Sequence, residues 1–278
     1  MAYRSWLYVP GDQPAMLDKA LTRGADAVIV DLEDGVATRD KDSARVLVAR
    51  WLSELDPDHN PHVWVRVNPG ALRERDVRAV ATMPALHGVC TAKTDRAEEV
   101  AVVDQLLTEL GSTALVSPLL ESAASLLDAL RIASSARVRC LQIGEVDLTA
   151  DLGITPGAAE LELLAIRTHV VVCSAAARIE PPAGPASPDF RDLDRFRRST
   201  IALQRLGFHG RVCIHPAQVE VANEVYTPTT EEIRAATSLL ERFEACNSGV
   251  TVDDDGHMVD EAVLRHARRV LEAAPHQR

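Results

Sequence analysis

Trp6-Leu7-Tyr8-Val9-Pro10-Gly11-Asp12-Gln13-Pro14, residues 6–14, sets an apolar run of four against a turn built from two prolines and a glycine. A short apolar run bounded by turn residues reads as a buried strand. The turn decides which sheet the strand belongs to. A doubly wound dinucleotide fold would place a G-x-G-x-x-G loop here, and residues 9–14 contain none. Further runs follow at intervals of about 25–35 residues, the length of one βα unit. They are Ala27-Val28-Ile29-Val30, Val63-Trp64-Val65-Arg66-Val67, Gly88-Val89-Cys90, Ala114-Leu115-Val116 and Cys140-Leu141-Gln142-Ile143. A weaker run lies at Ala177-Arg178-Ile179 and a clear one at Val212-Cys213-Ile214. Segments with helical apolar spacing separate them; over residues 97–110, Val100, Val103, Leu106, Leu107 and Leu110 share one face. Eight strands alternating with helices predict an α/β fold, a closed (β/α)8 TIM barrel.

Pro181-Pro182-Ala183-Gly184-Pro185 reads as a rigid turn after the seventh strand. Beyond the eighth strand, Thr227-Pro228-Thr229-Thr230-Glu231-Glu232 puts Thr and Glu at capping-box spacing and predicts a helix to Ala245. A polar loop follows, then a last helix from near Asp260 to before Pro275. The expected organisation is a catalytic barrel over residues 1–226 and a helical extension over 227–278. That extension packs on the barrel, reaches a neighbouring subunit, or covers the site.

The 278 residues suffice for one large core. A net charge of −11 argues against nonspecific nucleic-acid binding, which needs a basic face to neutralise phosphates. It leaves room for an anionic substrate met by local arginines. The cysteines, Cys90, Cys140, Cys173, Cys213 and Cys246, are scattered without CxxC spacing and read as buried small hydrophobes in a reducing compartment. No apolar stretch approaches membrane-spanning length, and the expectation is a cytoplasmic protein.

In a barrel of this kind the active site gathers at the C-terminal strand ends. Those ends here carry Asp31, Glu33 and Asp34, then Arg66 and Asn68, then Lys93, Glu121, Glu145 and Asp147, Glu180, and His215. Glu121 also reads as a first-turn carboxylate favoured by the helix dipole. Asp147 also reads as the N-cap of a helix starting near Leu148. Lys93 reads also as a solvated loop residue, and His215, as a lone histidine, as a structural one. Arg66 sits between two valines of a strand and requires a partner, because a buried lone charge is costly. Two carboxylates on adjacent strand ends, with room for waters, are a common way to hold Mg2+. Histidines and thiolates are not grouped for zinc, and no Gly-x-Ser-x-Gly elbow marks a hydrolase. A Schiff base on Lys93 would need a desolvated amine, whereas the surrounding carboxylates keep that amine protonated.

Several stretches, taken in order, carry a resemblance. They are Arg4-Ser5-Trp6-Leu7-Tyr8-Val9-Pro10-Gly11, Asp31-Leu32-Glu33-Asp34-Gly35-Val36, Arg66-Val67-Asn68, Leu119-Leu120-Glu121-Ser122, Gly144-Glu145-Val146-Asp147-Leu148, Ile214-His215-Pro216-Ala217-Gln218 and Gly256-His257-Met258-Val259-Asp260. Through them the chain resembles the citrate lyase β-subunit-like group of the HpcH/HpaI aldolase superfamily along nearly its whole length. The resemblance implies a homo-oligomer, commonly a trimer or hexamer, Mg2+ on Glu121 and Asp147, substrate binding by Arg66, and a carboxylate motif at Glu33 and Asp34. It implies further that Asp260 comes from a neighbouring subunit's extension. Departures are Thr91-Ala92 for the usual Leu-Pro, Ser122 for Thr, and Gly210-Arg211 for Gly-Lys.

The chemistry so implied is reversible cleavage of a 3-hydroxyacyl-CoA, such as malyl-, citramalyl- or citryl-CoA, into acetyl-CoA and a 2-oxo acid. Glu33 or Asp34, or a water on the metal, would accept the hydroxyl proton, Arg66 would face the enolate charge, and Asp260 would return a proton. Asn68 and Lys19 are further substrate-binding candidates, and Lys19 and Arg23 could meet CoA phosphates. Alternatives are the β subunit of a multi-subunit citrate lyase, a CoA-independent class II pyruvate aldolase, and a non-catalytic metabolite-binding module.

Overall fold

A computed structural model describes residues 2–58, 61–245, 251–252, 258–259 and 261–274. Seven parallel strands form one sheet: β1 Ser5–Pro10, β2 Ala27–Asp31, β3 His62–Val67, β4 Leu86–Thr91, β5 Leu115–Leu120, β6 Gln142–Ile143 and β7 Arg211–Cys213. Their order is β6-β5-β4-β3-β2-β1-β7, so successive strands are neighbours until the last joins the first. Helices fill the crossovers: α1 Pro14–Ala20, α2 Lys41–Glu54, α3 Ala71–Val80, α4 Ala97–Glu109, α5 Ala123–Leu127, α6 Ala129–Ala133, α7 Glu145–Leu152, α8 Leu164–Ala177, α9 Leu193–Leu206 and α10 Pro216–Tyr226. Parallel strands covered by helices are apolar on both faces, which is why residues 27–30 are all fully buried.

The strand expected at residues 177–179 does not form. The α8 helix runs through Ala177 and ends on Arg178 in the left-handed conformation, φ 58°. The chain meets the sheet later, inside the proline-rich stretch expected to be only a turn. Ala183 bridges Gln142 and Gly184 bridges Arg211, so the two sheet edges both pair with this short seam. The Ala183 amide donates to the Leu141 carbonyl at 3.0 Å, and the Gly184 amide to the Gly210 carbonyl at 2.9 Å. The flanking prolines lack an N–H and donate nothing to the pairing, although the Pro182 carbonyl still accepts the His209 amide at 3.1 Å.

Within the sheet, Trp6, Ile29, Trp64, Cys90, Leu119, Cys140 and Val212 share one core cluster. The four cysteines among the described residues are buried free thiols; Cys246 lies outside the described residues. No described helix is long and apolar enough to cross a membrane.

The chain divides into two compact units, residues 3–223 and residues 1–2 with 224–278. In the second, α11 Thr230–Ala245 packs against α12 Glu261–Ala273, and β8 Thr251–Val252 pairs antiparallel with β9 Met258–Val259. The capping box at the start of α11 forms: the Thr229 amide donates to Glu232 at 2.7 Å, and the Glu232 amide to the Thr229 hydroxyl at 3.2 Å.

Candidate active site

A cavity of about 330 Å³ opens at the C-terminal strand ends, lined by Tyr8, Asp31, Arg66, Glu121, Gln142 and Asp147 among others. It brings together Arg66, Glu121 and Asp147 from the sequence-derived candidates. The strand ends converge because the parallel register runs unbroken from Trp6 through Ala27 to His62.

Arg66 finds the partner its burial demands. Its Nε donates to Asp31 Oδ1 at 2.7 Å and its Nη2 to Oδ2 at 2.6 Å. Its Nη1 lies 3.1 Å from Glu33 Oε2, and its guanidinium carbon sits 4.9 Å from the centre of the Tyr8 ring. Burial opposes the charge, but the Asp31 and Glu33 carboxylates outweigh it and hold the guanidinium protonated. Three carboxylates within four residues are thus offset by one arginine and by Lys93, whose Nζ lies 2.5 Å from Glu33 Oε1 and 3.8 Å from Asp34. Burial also opposes the Lys93 charge, yet Glu33 and Asp34 raise its pKa, so the amine stays protonated. This works against a Schiff base on Lys93.

Lys93 takes a left-handed backbone, φ 47°, in the loop after β4. That conformation turns its amide onto Glu121 Oε2 at 2.7 Å. Glu121 is only 5% exposed and precedes α5, whose N-cap is Ser122; it is not a first-turn carboxylate. Burial pushes its carboxyl up to about 7, with the Lys93 amide and Arg66 opposing and Glu33 and Asp147 adding to the rise. Asp147 is not an N-cap either: α7 starts at Glu145 after Gly144, which places Asp147 in the first turn. Arg167 clamps Glu145 two residues earlier, at 2.6 and 2.7 Å.

The donor set fits a hard divalent cation. Among the described residues Glu121 Oε1 has no protein donor, and Asp147 makes no hydrogen bond or ion pair. No group of three or more His, Cys, Asp or Glu side chains placed to hold a metal ion gathers among the described residues; a cation on this pair would take its other ligands from waters and substrate.

Other candidates fall elsewhere. Asn68 is buried behind the cavity; its amide donates to the Leu32 carbonyl and to Asp76, and its oxygen accepts from Lys41. Glu33 is buried between Arg66 and Lys93, and Asp34 is exposed at the rim. Lys19 and Arg23 line an adjoining cleft of about 110 Å³ with Tyr8, Val9 and Ile214. Asp260 lies outside the described residues.

Glu180 requires a correction. Because the chain joins the sheet at residues 183–184, Glu180 precedes that entry. It pairs with Arg139 at 2.9 Å at the opposite, N-terminal end of the strands. There Arg139 also covers the Tyr3 ring and contacts His87, which stacks on His62.

Sequence reasoning missed Tyr8, Gln142 and Lys41. Tyr8 read as strand core. Gln142 sits 2% exposed in the cavity floor, donating to Ser117 Oγ at 3.0 Å. Lys41 caps the Leu32 and Glu33 carbonyls from the next helix, which no local pattern signals.

The chain is similar along most of its length to several known proteins. Citrate lyase subunit beta of Leuconostoc mesenteroides subsp. cremoris is 30% identical over 98% of this chain and 93% of its own length. A (3S)-malyl-CoA thioesterase of Cereibacter sphaeroides is 34% identical over 98% and 94%. Protein CitE from Mycobacterium tuberculosis, solved with magnesium, acetoacetate and coenzyme A, superposes with a TM-score of 0.81 at 29% identity, covering 97% of each chain. The HpcH/HpaI aldolase/citrate lyase family matches residues 4–216. This chain, with its strand-end arginine and carboxylates, belongs to that family of lyases.

Proposed function

We propose that the protein cleaves a 3-hydroxyacyl-CoA reversibly into acetyl-CoA and a 2-oxo acid, with Mg2+ held by Glu121 and Asp147. The observation that carries this reading is one cavity lined by Arg66, Glu121 and Asp147. The architecture in this reading is a (β/α)8 barrel whose eighth position is the short seam at Ala183 and Gly184.

When bound, the cation supplies Lewis acidity toward the substrate carboxylate and hydroxyl. The protein's groups do the rest. Both Glu33 oxygens are engaged by Arg66 and Lys93, so Glu33 orients those cations. Asp34, exposed and only loosely paired, accepts the hydroxyl proton. The C–C bond breaks, its electron pair passing into the thioester as an enolate, while the hydroxyl carbon becomes the ketone. Arg66, pre-aimed by Asp31, stabilises that charge without reorganising. Asp260 of a neighbouring copy in a homo-oligomer protonates the enolate carbon. Lys19 and Arg23 meet the CoA phosphates from their cleft.

A panel of 3-hydroxyacyl-CoAs, with and without Mg2+, assayed for free 2-oxo acid tests the reading. We expect metal-dependent release for at least one member; silence of every member with Mg2+ overturns it. Following free thiol in parallel addresses a second reading, thioester hydrolysis, favoured by the malyl-CoA thioesterase relatives.

A further inference from the structure

Tyr8 occupies a position that its core-like sequence context does not suggest. Its ring lies beneath Arg66 at 4.9 Å. It lines both the cavity holding Glu121 and Asp147 and the cleft holding Lys19 and Arg23. Tyr8, Val9 and Ile214 are the residues common to both spaces, and of the three only Tyr8 has a polar side chain. Among the described residues its hydroxyl has no hydrogen-bond partner.

We infer that the Tyr8 hydroxyl is a catalytic group, donating a hydrogen bond to the thioester carbonyl oxygen of the substrate beside the Arg66 guanidinium. The inference rests on the lyase reading above. A substrate with its acyl end at Glu121 and Asp147 and its phosphates at Lys19 and Arg23 must pass Tyr8. The thioester is the junction between those two portions. As the C–C electron pair moves onto the α-carbon, the carbonyl oxygen shares the charge, and a donor already in place bonds it more strongly. No proton leaves Tyr8. Burial raises the phenol well above its ordinary range, so it remains a donor throughout. The enolate carbon takes its proton from a separate acid, completing the acetyl thioester.

Tyr8→Phe separates this role from mere support of Arg66, because it keeps the ring and removes only the hydroxyl. Tyr8→Leu removes both. The full chain with Mg2+ is assayed for cleavage of the 3-hydroxyacyl-CoA that wild type turns over. It is also assayed for exchange of acetyl-CoA α-protons into D2O, read by NMR. We expect Tyr8→Phe to slow both by about 10- to 100-fold, with KM within about threefold and an unchanged Tm. If Tyr8→Phe matches an active wild type in both assays and only Tyr8→Leu is impaired, the inference is overturned and the lyase reading stands. If wild type neither cleaves any thioester nor exchanges acetyl protons, the lyase reading falls and this inference with it.

Discussion

Asp31 and Arg66 stand opposite each other in register on adjacent parallel strands and close a two-point ion pair at 2.7 and 2.6 Å. The same two Asp31 oxygens accept the amides of Glu33 at 2.8 Å and Gly35 at 2.7 Å. One carboxylate therefore aims the guanidinium and shapes the turn after its own strand. Asp31→Asn replaces an acceptor with a donor facing donors, and leaves a buried cation short of charge. We expect a loss of about 3–5 kcal/mol in urea denaturation at pH 7. A loss below about 1 kcal/mol, the range of an exposed pair, would show that the pairing is dispensable.

Arg66→Lys tests geometry at constant charge. A lysine cannot meet both Asp31 oxygens while facing the cavity. We expect kcat to fall by about 100-fold, with a smaller change in KM, in steady-state assays at saturating Mg2+. Full activity in the lysine variant would mean that charge alone suffices.

Glu121 couples function to pH-dependent stability. Its folded carboxyl titrates near 7 against an ordinary 4.5, so the folded state binds the proton more tightly than the unfolded chain. This contribution to stability is fully present below pH 4.5 and is lost as pH rises to 7; the whole shift is worth about 3 kcal/mol. Glu121→Gln, which mimics the protonated form, should become progressively more stable than wild type between pH 5 and pH 8 in chelator. The same variant should lose Mg2+-dependent turnover. A constant stability difference across that range would contradict the assignment.

Gly144 keeps the space beside Glu121. A Cβ there would fall 2.6 Å from both Glu121 Cγ and Oε1, closer than real contacts allow. Gly144→Ala must displace the carboxylate, at a cost of about 1–3 kcal/mol in stability. We expect weaker Mg2+ binding by calorimetry, together with a thermal shift of a few degrees. Undiminished Mg2+ affinity would remove Glu121 from the ligand set.

Much of this was legible in the sequence. The strand series stood out because strands covered on both sides are apolar without alternation, as in residues 27–30. Arg66 stood out because a charge between strand valines needs an explanation. Where reading failed, the physical signal was too short or lay in another element. The seam at Ala183 and Gly184 is short and leaves no hydrophobic run, while Ala177 ends a helix that Arg178 caps. Glu180 was misplaced with them. Lys41 reaches the turn at Leu32 and Glu33 from nine and eight residues downstream, and Tyr8 shows its role only once the two spaces it borders are seen.

The slenderness of that seam has a dynamic consequence. The joins from β7 through β1 to β5 are ladders of three to five residue pairs, whereas here single bridges at Ala183 and Gly184 meet both sheet edges, between Pro181, Pro182 and Pro185. Local opening of the sheet should begin at this short join, which is held by isolated bridges. Deuterium uptake at Ala183 and Gly184 would then outpace that at Val28 and Ile29 by orders of magnitude. Because Ala186 lines the strand-end cavity three residues from Ala183, such motion would also loosen one wall of the chamber.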